Sequence, residues 1–207
     1  MSFSLMEGFI TIFIGMGPIK VLLVYIAMTR KMESAVRRRV ATRIVLVAGS
    51  VGVGLFIAGA AVQSILHFSI GALNIIGGLI LLLLALKMVM GSGGGGHENA
   101  DAVDPMNIAT SPLAIPLTLN PVGIVSLVVA SSEVRDIPSS IAIVVMIAIV
   151  MGIDYVVLLG SDKVAPYLSS AVVQLLEVVL GIFLGALAIQ LALNGLADLG
   201  IISLAGH

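Results

Sequence analysis

The sequence predicts an all-α, polytopic membrane protein of six transmembrane helices in two inverted three-helix repeats. Three observations predict this fold. The chain of 207 residues is 59% hydrophobic and 10% charged, whereas a soluble domain is roughly one-quarter charged. It also contains six apolar runs of about 20 residues, the length of a helix that crosses a bilayer. Finally, the two halves of the chain carry matching prolines and glycines, so the six helices divide into two similar sets.

The six apolar runs define the helices in order. Lipid offers no partner to backbone polar groups, so each run should be a helix that satisfies its own hydrogen bonds. The first run lacks the basic start and the small-residue cleavage site of a signal peptide, so we expect it to remain as a span. The runs are Gly8–Met28, Ile44–Val62, Ile70–Leu86, Pro112–Ala130, Ile141–Leu159 and Ala171–Leu193.

Basic residues concentrate in the connection after the first run. Loops rich in lysine and arginine stay in the cytoplasm. The loop Arg30–Arg39 is therefore predicted to be cytoplasmic in a multi-pass protein of the cell membrane, with both termini outside. Such a loop is also able to bind anionic lipid or a partner protein, although topology alone explains it. The basic residues there are Arg30, Lys31, Arg37, Arg38 and Arg39.

A glycine-rich, acidic stretch separates the third run from the fourth. It has no apolar anchors, which is typical of a flexible linker, and Gly91–Asp104 should lie in the cytoplasm with the basic loop. The predicted organisation is a first three-helix repeat over 1–90, a linker over 91–110 and a second three-helix repeat over 111–207. A flexible linker does not organise ligands, so its histidine and carboxylates predict no metal site.

The two halves align without gaps at an offset of 103 residues. Each half contains three spans, an odd number, so a true repeat must be inverted across the membrane. Inverted repeats are typical of secondary transporters. The matching pairs are Pro18 with Pro121, Gly49 with Gly152, Gly78 with Gly181 and Asn74 with Glu177.

The first span of each half contains a proline next to small or polar residues. Proline removes a hydrogen-bond donor and clashes with the carbonyl four residues earlier, so we expect each of these helices to be broken at membrane depth. Half-helix ends present N–H groups to a carboxylate and carbonyls to an ammonium group. A pair of kinks that only serve packing is the alternative. The candidate substrate-binding residues are Gly17, Pro18, Lys20, Asn120, Pro121 and Gly123.

A few ionisable residues lie deep in the apolar runs. Burying a charge in hydrocarbon costs at least about 2.5 kcal/mol, so Lys20 should pair with Asp154 or Glu177. These carboxylates are candidates for a proton or charge relay, or for an ion pair that only locks the helices together. Asp154 is expected to reach toward an interface, and Asn74 is a polar partner at depth.

Composition and motifs exclude several classes of protein. The absence of cysteine excludes disulfides, thiol redox chemistry and cysteine-ligated metals. A net charge of −1 predicts no nucleic-acid partner. Neither HExxH nor a Ser/His/Asp grouping at depth is present, so no enzyme is predicted, and no cofactor is required.

Four stretches resemble the MarC family of six-span membrane proteins, within the broader LysE-type exporter superfamily. The resemblance implies two inverted three-helix repeats, outward termini and a transporter or exporter of small neutral amino acids. This chain has Gly17 where family members typically have asparagine, and Asn74 where they often have a basic residue. The stretches are Ser111–Gly123 with its PLAIPL block, Ile65–Leu79, Glu33–Arg43, and Glu177 with Gly181.

Three hypotheses follow. The leading one is a secondary carrier of small neutral amino acids or similar zwitterions that works by alternating access. In it Asn120 and exposed backbone bind the substrate, Lys20 binds its carboxylate, and Glu177 neutralises Lys20 or relays a proton. A metal or inorganic cation exporter is the second hypothesis. A non-transporting scaffold that docks a partner through the basic loop is the third, and a homo-oligomer is an open alternative in each.

Overall fold

The computed structural model describes residues 5–29, 32–90, 104–134, 136–164 and 170–203. These residues form helices, with no strand among them, which confirms the all-α prediction. The elements are α1 (Leu5–Met16), α2 (Pro18–Thr29), α3 (Ser34–Leu66), α4 (Ile70–Val89), α5 (Pro105–Ile108), a π-helical segment (Ala109–Thr118), α6 (Pro121–Glu133), α7 (Ile137–Val164) and α8 (Ser170–Asp198).

Five stretches are long and apolar enough to cross a membrane, and a bent pair of helices makes a sixth if it is counted as one span. Several helices extend past the predicted runs, because hydropathy marks only the apolar part of a helix. The clearest case is α3, which begins ten residues before Ile44. Arginine is a good helix former, so the basic segment continues the helix. The stretches are Phe9–Thr29, Ser34–Leu66, Ile70–Val89, Ile137–Ser161 and Gln174–Asp198, with the pair Pro105–Thr118 and Pro121–Glu133.

The predicted linker ends earlier than position 110. The Asp104 side chain accepts a hydrogen bond of 3.0 Å from the backbone N–H of Met106, and Pro105 occupies the first turn of α5. Aspartate at the N-cap and proline just inside are strong helix-start signals. Residues 105–110 are therefore helical and belong to the fourth span, and residues 91–103 lie outside the described residues.

The fourth span is interrupted wherever a proline follows. Ser111, Ile115 and Asn120 have extended backbone angles, and each directly precedes a proline. The ring of a proline disfavours the helical conformation in the residue before it. The last interruption produces a bend of 67° between the π-helical segment and α6.

The helices form two packing units. One continuous apolar core joins α1, α2, α3, the π-helical segment, α6 and α7. A second cluster lies between α4 and α8. The two helices are antiparallel: Gly71 near the start of α4 faces Gly195 near the end of α8, whereas Ala85 near the end of α4 faces Gly181. A Cβ at Gly195 would lie 2.5 Å from the Gly71 carbonyl oxygen. Small residues of this kind let membrane helices approach at backbone distance.

Candidate functional site

The first interruption lies at Gly17. Helix α1 ends at Met16 and α2 begins at Pro18, so the predicted break in the first span is present. Pro18 is suited to the first position of α2, where the missing N–H costs nothing. A Cβ at Gly17 would overlap the carbonyl oxygen of Phe13, which explains why glycine occupies the break.

The two interruptions lie directly against each other. A Cβ at Gly15 would overlap the Cα of Gly123 and lie 2.6 Å from its nitrogen. In the reverse direction, a Cβ at Gly123 would lie 2.8 Å from the Gly15 carbonyl oxygen. The backbones of α1 and α6 therefore touch at a point where neither helix has room for a side chain. This brings the predicted residues Gly17, Pro18, Asn120 and Gly123 to one place.

Asn120 joins the two broken helices through three hydrogen bonds. Its backbone N–H donates to the Gly15 carbonyl at 3.0 Å, and its side-chain amide donates to the Ile14 carbonyl at 3.4 Å. Its side-chain oxygen accepts from the Gly123 N–H at 3.0 Å, which caps α6. A helix leaves its last carbonyls and first N–H groups without intrahelical partners, and Asn120 satisfies groups of both kinds.

The region around the interruptions is closed. Met16, Gly17, Pro18 and Asn120 are all buried. Thr118 is also buried, and its hydroxyl donates to the Leu113 carbonyl at 2.9 Å. Lys20 belongs to the first turn of α2, but its side chain lies outside the described part of the structure.

Asp154 is completely buried in α7, at 0% exposure. The expectation that it reaches toward an interface was therefore wrong. Hydropathy located the residue along the helix but gave no information about the face it occupies, and this face points into the bundle, where α7 packs on α1, α2 and α3. Asp154 has an interaction partner within the chain.

Glu177 of α8 and Asn74 of α4 lie far apart. Glu177 is buried near the start of α8 and has an interaction partner. The Asn74 amide donates to the Asp198 carboxylate at 2.8 Å, at the end of α8. At 1.5 Å per residue, about 30 Å of helix separates Glu177 from Asp198. The structure therefore does not bring Asn74 to Glu177.

Sequence reasoning missed Gly15 and Asp198. Gly15 precedes the broken position by two residues, where the sequence shows only small residues next to a proline. Asp198 follows the last apolar run, so hydropathy assigned it to the loop. Nothing in the local sequence of either residue indicates its partner, Gly123 in one case and Asn74 in the other.

The length of these helices and their apolar outer surfaces define an integral, multi-pass membrane protein. The chain belongs to the MarC family of integral membrane proteins, which its sequence matches over residues 3–199.

Relatives in several prokaryotes align over most of their length. The chain is 29% identical to a UPF0056 membrane protein of Methanocaldococcus jannaschii, over 91% of this chain and 94% of the relative. It is 26% identical to one of Archaeoglobus fulgidus, over 92% and 91%. It is 29% identical to the UPF0056 inner membrane protein YhgN of Escherichia coli K12, over 87% and 90%. No solved structure matches the chain significantly.

Proposed function

We propose that this protein is a secondary carrier of small neutral amino acids or similar zwitterions, working by alternating access. The observation that carries the proposal is the direct contact of two interrupted helices through Gly15, Asn120 and Gly123. Interrupted helices that meet in a bundle are the usual construction of a transporter binding site, because their ends offer unpaired N–H groups and carbonyls.

Two reciprocal features support an inverted repeat. Helices α2 and α6 both begin on a proline, and α3 and α7 begin at Ser34 and Ile137, each pair separated by 103 residues. A Cβ at Gly78 would lie 2.7 Å from the Ala188 carbonyl oxygen, and one at Gly181 would lie 3.1 Å from that of Ala85. The same offset converts one contact into the other.

The repeat is not uniform along its length. Gly49 packs against Met151 of α7, whereas Gly152, its match, has open space around it. The equivalence is therefore stronger at the interruptions and in the α4–α8 pair than between α3 and α7.

The buried interruptions represent a closed state in this proposal. When the halves separate, the Asn120 amide exchanges its long 3.4 Å bond to the Ile14 carbonyl for a bond to the substrate. Lys20, in the first turn of α2, binds the substrate carboxylate, and Asp154 or Glu177 balances its charge. The basic start of α3 faces the cytoplasm, as the distribution of basic residues favours.

The other two hypotheses stay as alternatives without a specific observation in their favour. A cation exporter needs several oxygen or nitrogen ligands at one place. The part of the chain that the structure describes contains no group of three or more histidine, aspartate or glutamate residues suited to a metal. A scaffold that docks a partner needs only the exposed arginines of α3.

Uptake into proteoliposomes tests the proposal. We expect radiolabelled glycine or alanine to accumulate when a proton or sodium gradient is imposed, and excess unlabelled amino acid to suppress the accumulation. Liposomes without protein, and liposomes carrying heat-inactivated protein, are the controls. Folded protein that moves no small neutral amino acid under either gradient would contradict the proposal.

A further inference from the structure

A groove that several polar side chains line lies between the last turns of α3 and α6, away from the interruptions. It has a volume of about 700 Å³. The Ser131 hydroxyl oxygen accepts a hydrogen bond of 2.9 Å from the Ala60 N–H and fixes the two helices at this end. The lining residues are Ala60, Gln63, Ser64, His67, Phe68, Ser131 and Ser132.

Two serine hydroxyl groups that line the groove already donate their protons to backbone carbonyls. The Ser64 hydroxyl donates to the Ala61 carbonyl at 2.9 Å, and the Ser132 hydroxyl donates to the Val129 carbonyl at 2.8 Å. A hydroxyl group has one proton and two lone pairs. Both serines therefore offer the groove acceptors rather than donors.

His67 adds a third acceptor. Its Nδ1 lies 2.9 Å from the carbonyl oxygen of Ile65. A carbonyl only accepts, so this contact requires the proton on Nδ1, and the Nε2 atom of the neutral ring then carries a lone pair. The left-handed backbone of His67, with φ of 54°, places the ring at the end of α3, where it lines the groove.

We infer that this groove binds a primary ammonium group. Such a group has three N–H donors, and Ser64, Ser132 and His67, which line the same groove, each offer an acceptor. The Phe68 ring adds an apolar wall that tolerates a cation. Within the described part of the chain, the lining contains no carboxylate. It therefore does not repel a carboxylate carried by the same ligand, and a zwitterion is accepted. The inference is independent of transport, because the groove lies apart from the interruptions.

The test measures the binding of methylammonium to the full-length protein in phosphatidylcholine nanodiscs. NMR of the histidine ring nitrogens detects the binding. The resonance of His67 is assigned by its loss in His67→Gln. We expect methylammonium to shift Nε2 saturably, whereas tetramethylammonium, which has the same charge but no N–H donor, leaves it unchanged.

A matched pair of serine variants tests the geometry. Ser64→Ala removes one acceptor and should weaken methylammonium binding by about tenfold, the effect of one hydrogen bond to a charged group. Ser50→Ala is the control, because Ser50 is an exposed residue of the same helix whose hydroxyl also donates to a carbonyl three residues earlier. We expect Ser50→Ala to bind methylammonium with the same affinity as the unmodified protein.

The source of the ammonium group is distinguished by the lipid. A shift that appears in phosphatidylethanolamine nanodiscs without added solute assigns the site to a lipid headgroup, and a shift that requires methylammonium assigns it to a free solute. The inference is overturned if methylammonium causes no saturable shift, if tetramethylammonium causes an equal one, or if Ser64→Ala binds as tightly as Ser50→Ala.

Discussion

Replacement of Gly15 by alanine is expected to destabilise the protein by about 3 kcal/mol or more and to abolish uptake. Overpacking a well-packed site usually costs about 1–3 kcal/mol. Here the added Cβ meets the Gly123 backbone, 2.6 Å from its nitrogen, and backbone cannot rotate away as a side chain can. The two broken helices must therefore separate. Titration of the detergent-solubilised protein with SDS measures the change in the free energy of unfolding.

Gly152→Ala is the matched control for Gly15→Ala. It makes the same chemical change inside α7, at a position where a Cβ meets nothing within 4 Å. Alanine has a higher helix propensity than glycine by up to about 1 kcal/mol, so this variant should be neutral or slightly more stable. Equal stability of the two variants would show that α1 and α6 do not touch at Gly15.

Replacement of Asn120 by leucine is expected to destabilise the protein by about 1–3 kcal/mol and to stop uptake. The change removes the cap of α6, which is the bond from the Gly123 N–H and is worth about 0.5–2 kcal/mol. It also removes the side-chain bond to the Ile14 carbonyl, worth about 0.5–1.5 kcal/mol. Asn120→Ser retains a capping oxygen but loses the bond to Ile14. Its stability should therefore lie between that of the unmodified protein and that of Asn120→Leu. The same SDS titration ranks the variants.

Asn107→Leu is the matched control for Asn120→Leu, because it makes the same chemical change outside the interruptions. Asn107 is exposed in α5, so its replacement should change stability by no more than about 0.5 kcal/mol. If Asn120→Leu were as stable as Asn107→Leu and retained uptake, the hydrogen bonds of Asn120 would not hold the interruptions together.

The interruptions could be predicted from the sequence because proline acts locally. A proline inside a helix kinks or breaks it, because it has no N–H to donate and its ring clashes with the carbonyl four residues earlier. Pro18 and Pro121 each start a new helix after such a break. The membrane spans were equally predictable, because every backbone group in lipid must be satisfied within its own helix.

The partners of the polar residues could not be predicted. Asn74 and Glu177 match in the alignment but do not meet. Asn74 of α4 bonds to Asp198 at the end of α8, about 30 Å along that helix from Glu177. Asp154 was placed correctly in its run but on the wrong face. Hydropathy gives the depth of a residue, whereas its partner depends on how the helices pack, and that is set by glycines such as Gly15 whose contacts are distant in sequence.

The central claim is that the interruptions form a site opened alternately to the two sides of the membrane. The chain contains no cysteine, so a single introduced cysteine is the only target of a membrane-impermeant maleimide. Ile115 and Ile124 are half-buried positions on either side of the Asn120 interruption. We expect transported amino acid to raise the labelling rate of one single-cysteine variant, Ile115→Cys or Ile124→Cys, and to lower that of the other. Labelling rates that do not respond to amino acid, or that change in the same direction at both positions, would contradict the account.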